Sequence, residues 1–170
     1  MEFMEVVRSR RSIRKYIPKD IPEDKLTNIL EAARLAPSGA NRQSWKFIVI
    51  REKDTKMKVA EACGKQLWMG DAAAIIVGCW LSMPGVDNTP LVRDVTIAME
   101  HIVLAAVNEG LGTCWIGASN VERARALRPL LRIPPEVGIN ALVTIGYPAE
   151  PPRERVFKKP EEITCYESYK

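Results

Sequence analysis

The sequence predicts an α+β fold in which helices cover both faces of a central mixed β-sheet. Three observations predict it. The chain opens with helical patterns and not with a strand, strands and helices then alternate, and the longest helical pattern carries a nearly apolar stripe. With 170 residues, 46% of them hydrophobic, the chain is expected to form a single domain over residues 1–170.

The first half of the chain predicts two helices and two buried strands. Apolar residues at helical spacing predict a helix over 3–9, and a basic run, Arg8 to Lys15, follows it. A second helix follows Ile21-Pro22 and must end before Pro37, since the residue before a proline disfavours the helical conformation. The other elements of this half are a strand over 45–50, a helix over 54–63 and a strand over 74–80.

The second half predicts a loop, a long helix, two strands and a tail. The helix over 91–109 is the clearest, because its apolar residues recur every three or four positions and Gly110 ends it. The other elements are a loop over 82–90, a short strand over 113–116, a helix capped by Asn120 and running through Leu130, and a strand over 138–145. Residues 146–170 are rich in proline and charge, so we expect an extended tail that must pack on another surface to be ordered.

Composition and motifs exclude several classes of protein. The longest apolar stretch, 72–81, is much shorter than the roughly 20 residues of a membrane helix, and residues 1–5 do not resemble a signal peptide, so a cytoplasmic protein that does not contact a membrane is expected. Four scattered cysteines and one histidine build neither a zinc site nor a disulfide framework. The segment that begins at Gly110 has Trp115 at the position where a dinucleotide-binding fingerprint has its third glycine. Gly64-Lys65 lacks the upstream glycine and the hydroxyl residue of a phosphate-binding loop.

Two segments in the first part of the chain are candidate binding sites. Arg10, Arg11, Ser12 and Arg14 offer the guanidinium and hydroxyl donors that a phosphate monoester needs. A solvated basic surface, with or without a nucleic-acid contact, is the usual explanation of such a run when it stands alone. The polar loop over 36–45 connects a helix to a buried strand, where ligand-binding loops are common and ordinary helix-ending turns are too.

Two further segments lie in the second part of the chain. Residues 110–117 contain three glycines, which let the backbone approach a ligand closely, and Trp115 offers a flat apolar surface; packing alone is the alternative. Residues 146–152 form a turn that leads to a basic pair, Lys158 and Lys159, and by themselves indicate little.

Taken together and in this order, the four segments resemble the FMN-dependent nitroreductase family, from about residue 3 to residue 169. The matching motifs are Arg-Arg-Ser-x-Arg, Pro-Ser-Gly-x-Asn-x-Gln, Gly-Leu-Gly-Thr-Cys-Trp-Ile-Gly and Gly-Tyr-Pro-Ala-Glu. Gly64-Lys65-Gln66 also looks like the glutamine-containing stretch of that family. The resemblance implies a three-layer fold, a domain-interlocked homodimer with the tail packed on the dimer, and two FMN molecules in the interface.

The resemblance also implies roles for particular residues. Arg10, Ser12 and Arg14 should hold the FMN phosphate and ribityl chain, helped by Lys158 or Lys159, and Arg11 should lie near the pyrimidine edge. Pro37, Ser38, Gly39 and Asn41 should come from the facing subunit, and Gln66 should bond a flavin carbonyl. Cys114, Trp115, Ile116 and Gly117 should run along the ring, with the Ile116 and Gly117 amides near N5 and O4.

The implied activity is transfer of electrons from NADH or NADPH to a nitroaromatic, a quinone or a similar small acceptor by a ping-pong mechanism. No catalytic side chain is expected, because the chemistry takes place on N5 of FMN, and no metal is needed. A flavin-binding protein with a storage or sensing role is the main alternative. A nucleic-acid-binding domain is disfavoured because the arginine run has no interleaved aromatic residues. Dehalogenation and flavin fragmentation also occur on this fold, and the residues do not distinguish them.

Overall fold

The computed structural model describes residues 1–82, 85, 87–118 and 121–169. The α-helices in these residues are α1 (Phe3–Ser9), α2 (Glu23–Arg34), α3 (Lys53–Ala62), α4 (Thr89–Asn108) and α5 (Val121–Leu131). The strands are β1 (Tyr16–Ile17), β2 (Trp45–Ile50), β3 (Ala74–Leu81), β4 (Gly112–Gly117) and β5 (Val137–Pro148). Short 3-10 turns lie at Gly39–Asn41, Leu67–Asp71 and Pro160–Glu162.

The sheet is organised around β5. This strand pairs antiparallel with β3, with β4 and, at its carboxyl end, with β1, while β2 extends the sheet beyond β3. An isolated parallel bridge between Ser12 and Thr113 brings the segment before β1 against β4 and adds a parallel contact to strand pairings that are otherwise antiparallel. Residues 12 and 13 therefore lie against β4, a few residues before the chain enters β1.

Helices pack on both faces, which gives the predicted three layers. Successive residues of a strand point to opposite faces. In β3, Ile76 packs in the cluster with α2 and α4, whereas Ile75 and Val77 pack in the cluster with α3 and α5. The α+β expectation is confirmed. None of the helices in the described residues combines the length and the apolar character that a membrane crossing needs.

The long helix begins two residues earlier and ends one residue earlier than the sequence predicts. Pro90 is tolerated in the first turn because it needs no amide partner there, and the Asp87 carboxylate accepts hydrogen bonds from the Thr89 amide at 2.9 Å and from its hydroxyl at 2.8 Å. After the helix, Gly110 takes a φ of 78°, a left-handed conformation that favours glycine.

Two expectations about the chain need correction. The last strand runs past residue 145 to Pro148, because residues 146–148 pair with β4 and β1, so the tail begins at residue 149. β1 is absent from the sequence prediction because two residues carry no periodic pattern. The expected cap at Asn120 lies outside the described residues.

Candidate functional site

The arginine segment between α1 and β1 is held against β4 by backbone contacts. The Ile13 amide donates to the Thr113 carbonyl at 2.8 Å, beside the bridge between Ser12 and Thr113. The tail returns along the same segment, since the Ala149 amide donates to the Lys15 carbonyl at 3.0 Å. The basic residues are thereby placed between β4 and the start of the tail.

These contacts form a cavity of about 380 Å³, which we call the arginine cavity. It is lined by Arg10, Arg11, Ser12, Ile13, Arg14, Glu150, Pro151, Pro152, Arg153, Glu154 and Arg155. Five arginines stand against two glutamates, and one of these, Glu150, is paired with Lys15 at 2.8 Å. The cavity therefore favours an anion.

The arginines of the cavity have different partners. Arg11 is committed to backbone, because its guanidinium donates to the carbonyls of Arg8, Arg10 and Arg153 at 2.6, 2.8 and 3.1 Å. Arg155 lies over the Phe157 ring at 4.7 Å. The guanidinium groups of Arg10, Arg14 and Arg153 have no hydrogen-bond or ion-pair partner among the described residues, so their donors are available to a ligand.

β4 presents an open edge that continues from the arginine segment. In an antiparallel strand, the backbone groups of alternate residues point to opposite sides. The Thr113 carbonyl points to the arginine segment, whereas the Ala118 amide just beyond β4 points to Asn140 in β5. The alternation places the amides of Trp115 and Gly117 on the open edge and the Ile116 amide toward β5. The edge donors are therefore Trp115 and Gly117, where the resemblance implied Ile116 and Gly117.

Gly117 is the glycine of β4 with open space beside it. A Cβ atom built on Gly117 meets no heavy atom of the described residues within 4 Å, so packing among these residues does not require glycine there. Trp115, on the face opposite the buried Cys114 and Ile116, keeps 37% of its surface exposed. The end of β4 therefore offers an amide, an aromatic surface and room for a flat ligand.

Cys114 and His101 are both engaged inside the fold. Cys114 is buried, and that burial raises the pKa of its thiol, while Arg14 and a hydrogen bond with Ser12 oppose the change. His101, on α4, donates from Nδ1 to the Ala32 carbonyl at 2.9 Å and so ties α4 to α2. Both residues therefore have structural contacts within the chain.

The loop over 37–43 is organised by Asp94 of α4. The buried Asp94 carboxylate accepts the Gly39 amide at 3.0 Å and pairs with Arg42 at 3.2 Å. Three residues of the loop, Ala40, Asn41 and Gln43, have positive φ near 50°, a strained conformation for side chains other than glycine. Pro37, Ser38, Gly39 and Asn41 do not line the arginine cavity of their own chain.

Gln66 starts the 3-10 turn before β3. Its side-chain amide donates to the Cys63 carbonyl at 3.0 Å, which leaves the side-chain oxygen and one N–H available. Two residues on, Trp68 packs on Tyr16 with ring centroids 6.5 Å apart, so the turn lies beside the end of the arginine segment. Gln66 does not line the arginine cavity.

The tail contributes different basic residues from the expected ones. Lys158 and Lys159 are exposed and do not line the arginine cavity; the Lys159 amide instead caps the last 3-10 turn by donating to Glu162 at 2.8 Å. Arg153 and Arg155 occupy the cavity wall, because the tail crosses the arginine segment at residues 150–155. The sequence analysis missed these two arginines, and their signal was the Arg-Glu-Arg pattern directly after Pro152.

The chain is similar to known proteins of one family. The family model described as the nitroreductase family matches residues 7–92 and 66–147. A protein of Methanothermobacter thermautotrophicus, named as a candidate NADH dehydrogenase/NAD(P)H nitroreductase, is 37% identical over 96% of this chain and 86% of its own length. A Bacillus subtilis protein named FMN reductase [NAD(P)H] is 29% identical over 97% of this chain and 74% of its own.

A solved structure supports the same assignment. The structure titled FMN-dependent nitroreductase from Clostridium difficile superposes with a TM-score of 0.85 at 26% identity, covering 98% of this chain and 99% of that one. The family model, the identity with the archaeal protein and the shared fold all concern nearly the whole chain. This chain belongs to the nitroreductase family.

Proposed function

We propose that the chain is an FMN-dependent oxidoreductase that takes electrons from NADH or NADPH and passes them to a nitroaromatic, a quinone or a similar small acceptor. The single observation that carries the proposal is the continuity of the arginine cavity with the open edge of β4, through the contacts of Ser12 and Ile13 with Thr113. An anionic group and a flat ring joined by a short polar chain fit such a site. The names of the relatives favour FMN.

The arginine cavity fits the phosphate end of FMN. Arg10, Arg14 and Arg153 have donors that no described residue uses, and charge-assisted bonds to phosphate are among the stronger hydrogen bonds. Ser12 lines the same cavity and adds a hydroxyl. Arg11 orders the tail and the end of α1, so we assign it a supporting role instead of a place at the pyrimidine edge.

The edge of β4 fits the ring end. The amides of Trp115 and Gly117 are donors for ring heteroatoms, and the space beside Gly117 admits a flat group. When bound, FMN supplies the hydride and electron transfer chemistry, for which the protein needs no acid or base of its own. The chain binds the phosphate, orients the ring along β4 and leaves one exposed face for the two substrates in turn.

We further propose that two copies of the chain complete the site. Residues 149–169 are exposed throughout, and they include large apolar side chains such as Val156, Phe157 and Tyr166, exposed by 96%, 59% and 82%. Exposed apolar surface of this kind marks an interface. The loop over 37–43, which does not reach the arginine cavity of its own chain, is then supplied by the second copy, as the resemblance implies.

The test is a flavin and turnover experiment on the purified protein. We expect a yellow protein whose heat-released ligand has the mass of FMN, whose flavin bleaches when NAD(P)H is added without oxygen, and whose colour returns with a nitroaromatic or a quinone. Parallel double-reciprocal plots are expected, since one face serves both substrates in turn. Protein that does not bind FMN contradicts the proposal. A bound flavin that NAD(P)H never bleaches favours the storage or sensing alternative.

A further inference from the structure

A pair of buried hydroxyl groups lies directly behind the arginine cavity. The Tyr16 hydroxyl is 2.8 Å from the Ile13 carbonyl oxygen and 2.7 Å from Thr144 Oγ1. Tyr16 is 6% exposed and Thr144, in β5, is fully buried. A carbonyl can only accept and a phenol carries one proton, so Tyr16 donates to Ile13 and Thr144 donates to Tyr16.

These two hydrogen bonds help to hold the backbone of Ile13 in one orientation. The Ile13 amide already donates to the Thr113 carbonyl at 2.8 Å, which orients the peptide unit between residues 12 and 13. The bond from Tyr16 orients the next peptide unit, between residues 13 and 14. Both peptide units of Ile13 are therefore fixed, and the residues on either side, Ser12 and Arg14, line the arginine cavity.

The hydroxyl group contributes something that the ring does not. The Tyr16 ring packs on Trp68 and in the cluster with Ile13 and Ala72, and a phenylalanine would keep this packing. The hydroxyl alone reaches the Ile13 carbonyl. Without it, the peptide unit before Arg14 loses its one hydrogen-bond partner among the described residues and gains rotational freedom, which binding of an anion must then remove.

We propose that Tyr16, supported by Thr144, is a positioning residue for phosphate recognition: it holds the Ile13 peptide and so orients Ser12 and Arg14 toward the phosphate group of FMN. The proposal rests on the proposed function, because it takes FMN as the ligand of the arginine cavity. Tyr16 does not touch the ligand, since its side chain lies behind the segment that lines the cavity.

The experiment compares two flavins that differ by the phosphate. Flavin-free protein is titrated with FMN and with riboflavin, which lacks the phosphate, and quenching of flavin fluorescence gives both dissociation constants. Tyr16→Phe is expected to weaken FMN binding by about three- to tenfold, the effect of one hydrogen bond, and to leave riboflavin binding unchanged. Substitution of a residue needed only for the fold would weaken the binding of FMN and of riboflavin by the same factor.

Two further variants test the chain of hydrogen bonds. Thr144→Val removes the donor to Tyr16 and leaves the bond to Ile13, so a smaller selective loss, about twofold, is expected. The double variant Tyr16→Phe/Thr144→Val should bind FMN no more weakly than Tyr16→Phe alone, because both substitutions act on the same bond to Ile13.

Tyr147→Phe is the matched control. Tyr147 lies in β5 with its ring near Lys19 Nζ, and its hydroxyl has no hydrogen-bond partner among the described residues. We expect no change in its FMN to riboflavin affinity ratio. Thermal melts of all variants check that the fold is kept.

Each outcome decides the proposal. An unchanged FMN affinity in Tyr16→Phe overturns it, as does an equal loss of FMN and riboflavin affinity. If Tyr16→Phe does not fold, the ratio measured for Thr144→Val decides in the same way. Wild-type protein that binds neither flavin overturns the proposed function and this inference together, whereas tight FMN binding with an unchanged ratio in the variants overturns this inference alone.

Discussion

Neighbouring arginines of the first segment differ in what their guanidinium groups contact. Arg11 donates to three backbone carbonyls, whereas Arg10 and Arg14 line the cavity with guanidinium donors that no described residue accepts. Residue type and spacing do not separate these roles, because a guanidinium group bonds a carbonyl as readily as a phosphate. The direction of each side chain depends on the bridge to Thr113 and on the return of the tail.

Replacing Arg10 and Arg14 together with alanine should abolish tight FMN binding while the fold is kept. Each charge-assisted bond contributes about 1.5–3 kcal/mol, so the dissociation constant should rise by at least about a hundredfold. Fluorescence titration measures the affinity and circular dichroism the fold. The matched control is Lys158→Ala/Lys159→Ala, which changes the same number of charges outside the cavity. A larger loss in the lysine variant would assign the phosphate contact to the lysines.

Buried thiols should make the protein less stable in alkali. Burial raises the pKa of Cys79 to about 11 from the ordinary 9.0. As the pH rises, the thiol ionises at a lower pH in the unfolded chain than in the folded chain. Its contribution to stability is therefore complete below pH 9 and is lost as the pH rises toward 11.

Urea unfolding at about pH 8 and at about pH 10.5 measures this effect. The free energy of unfolding should fall less between these conditions in Cys79→Ala than in the wild type. In Cys165→Ala, which removes an exposed thiol, the free energy of unfolding should fall by as much as in the wild type. Identical pH dependence in wild type and Cys79→Ala would contradict the prediction.

At the scale of elements, α4 combines packing with positioning. Its apolar stripe packs on the sheet, as its periodicity predicts, and Asp94 interrupts that stripe with a buried carboxylate that holds the loop over 37–43. An acid on the inner face of an otherwise apolar helix was a usable signal in the sequence, because a buried carboxylate needs partners. The identity of those partners was not readable, since the Gly39 amide lies 55 residues away.

Asp94→Ala should destabilise the protein by about 1–3 kcal/mol, because the Gly39 amide and the Arg42 guanidinium lose a buried acceptor. Urea unfolding at neutral pH measures the change. Asp71→Ala removes an ion pair of similar length with Lys53, but both of its partners are 60% exposed, and it should change stability by less than about 1 kcal/mol. Equal losses in the two variants would show that Asp94 is no more than a surface charge.

At the scale of the whole molecule, residues 149–169 are the part that its own chain leaves uncovered. The segment touches the body of the protein at its start, through Ala149 and Arg153, and then carries exposed apolar and aromatic side chains. The proposed second copy covers these side chains and brings its own loop over 37–43 to the arginine cavity.

Light scattering should show a dimer that dissociates more readily in the variant Phe157→Ser/Tyr166→Ser, with loss of FMN. Burial of aromatic side chains stabilises interfaces, and each of these two is exposed within its own chain. Val121→Ser is the control, because this residue of α5 is also apolar and 73% exposed but lies outside the tail. A monomer that keeps full FMN affinity would contradict both the dimer and the shared site.

Much of the fold and part of the site were predictable from local patterns. The helix over 91–109, observed as Thr89–Asn108, and the strand over 45–50, observed as Trp45–Ile50, follow from periodicity because it reports which face of an element is buried. The arginine cluster and the glycines of β4 were found from residue type and order, and they identified the family. The two-residue β1 and the true start of the tail were missed, since both depend on the pairing between β1 and the end of β5.

The sequence by itself determined most of the helices and strands and the family, because these depend on periodicity, composition and short motifs. Only the tertiary structure decided which donors are free, which amides of β4 lie on the open edge, and which groups stand behind the cavity. Those facts depend on contacts between distant parts of the chain: Tyr16 meets Thr144 across 128 residues, and Arg11 meets Arg153 across 142. A local sequence pattern indicates that a side chain is buried but not which group it contacts. That contact decides whether the guanidinium group of an arginine is available to a ligand.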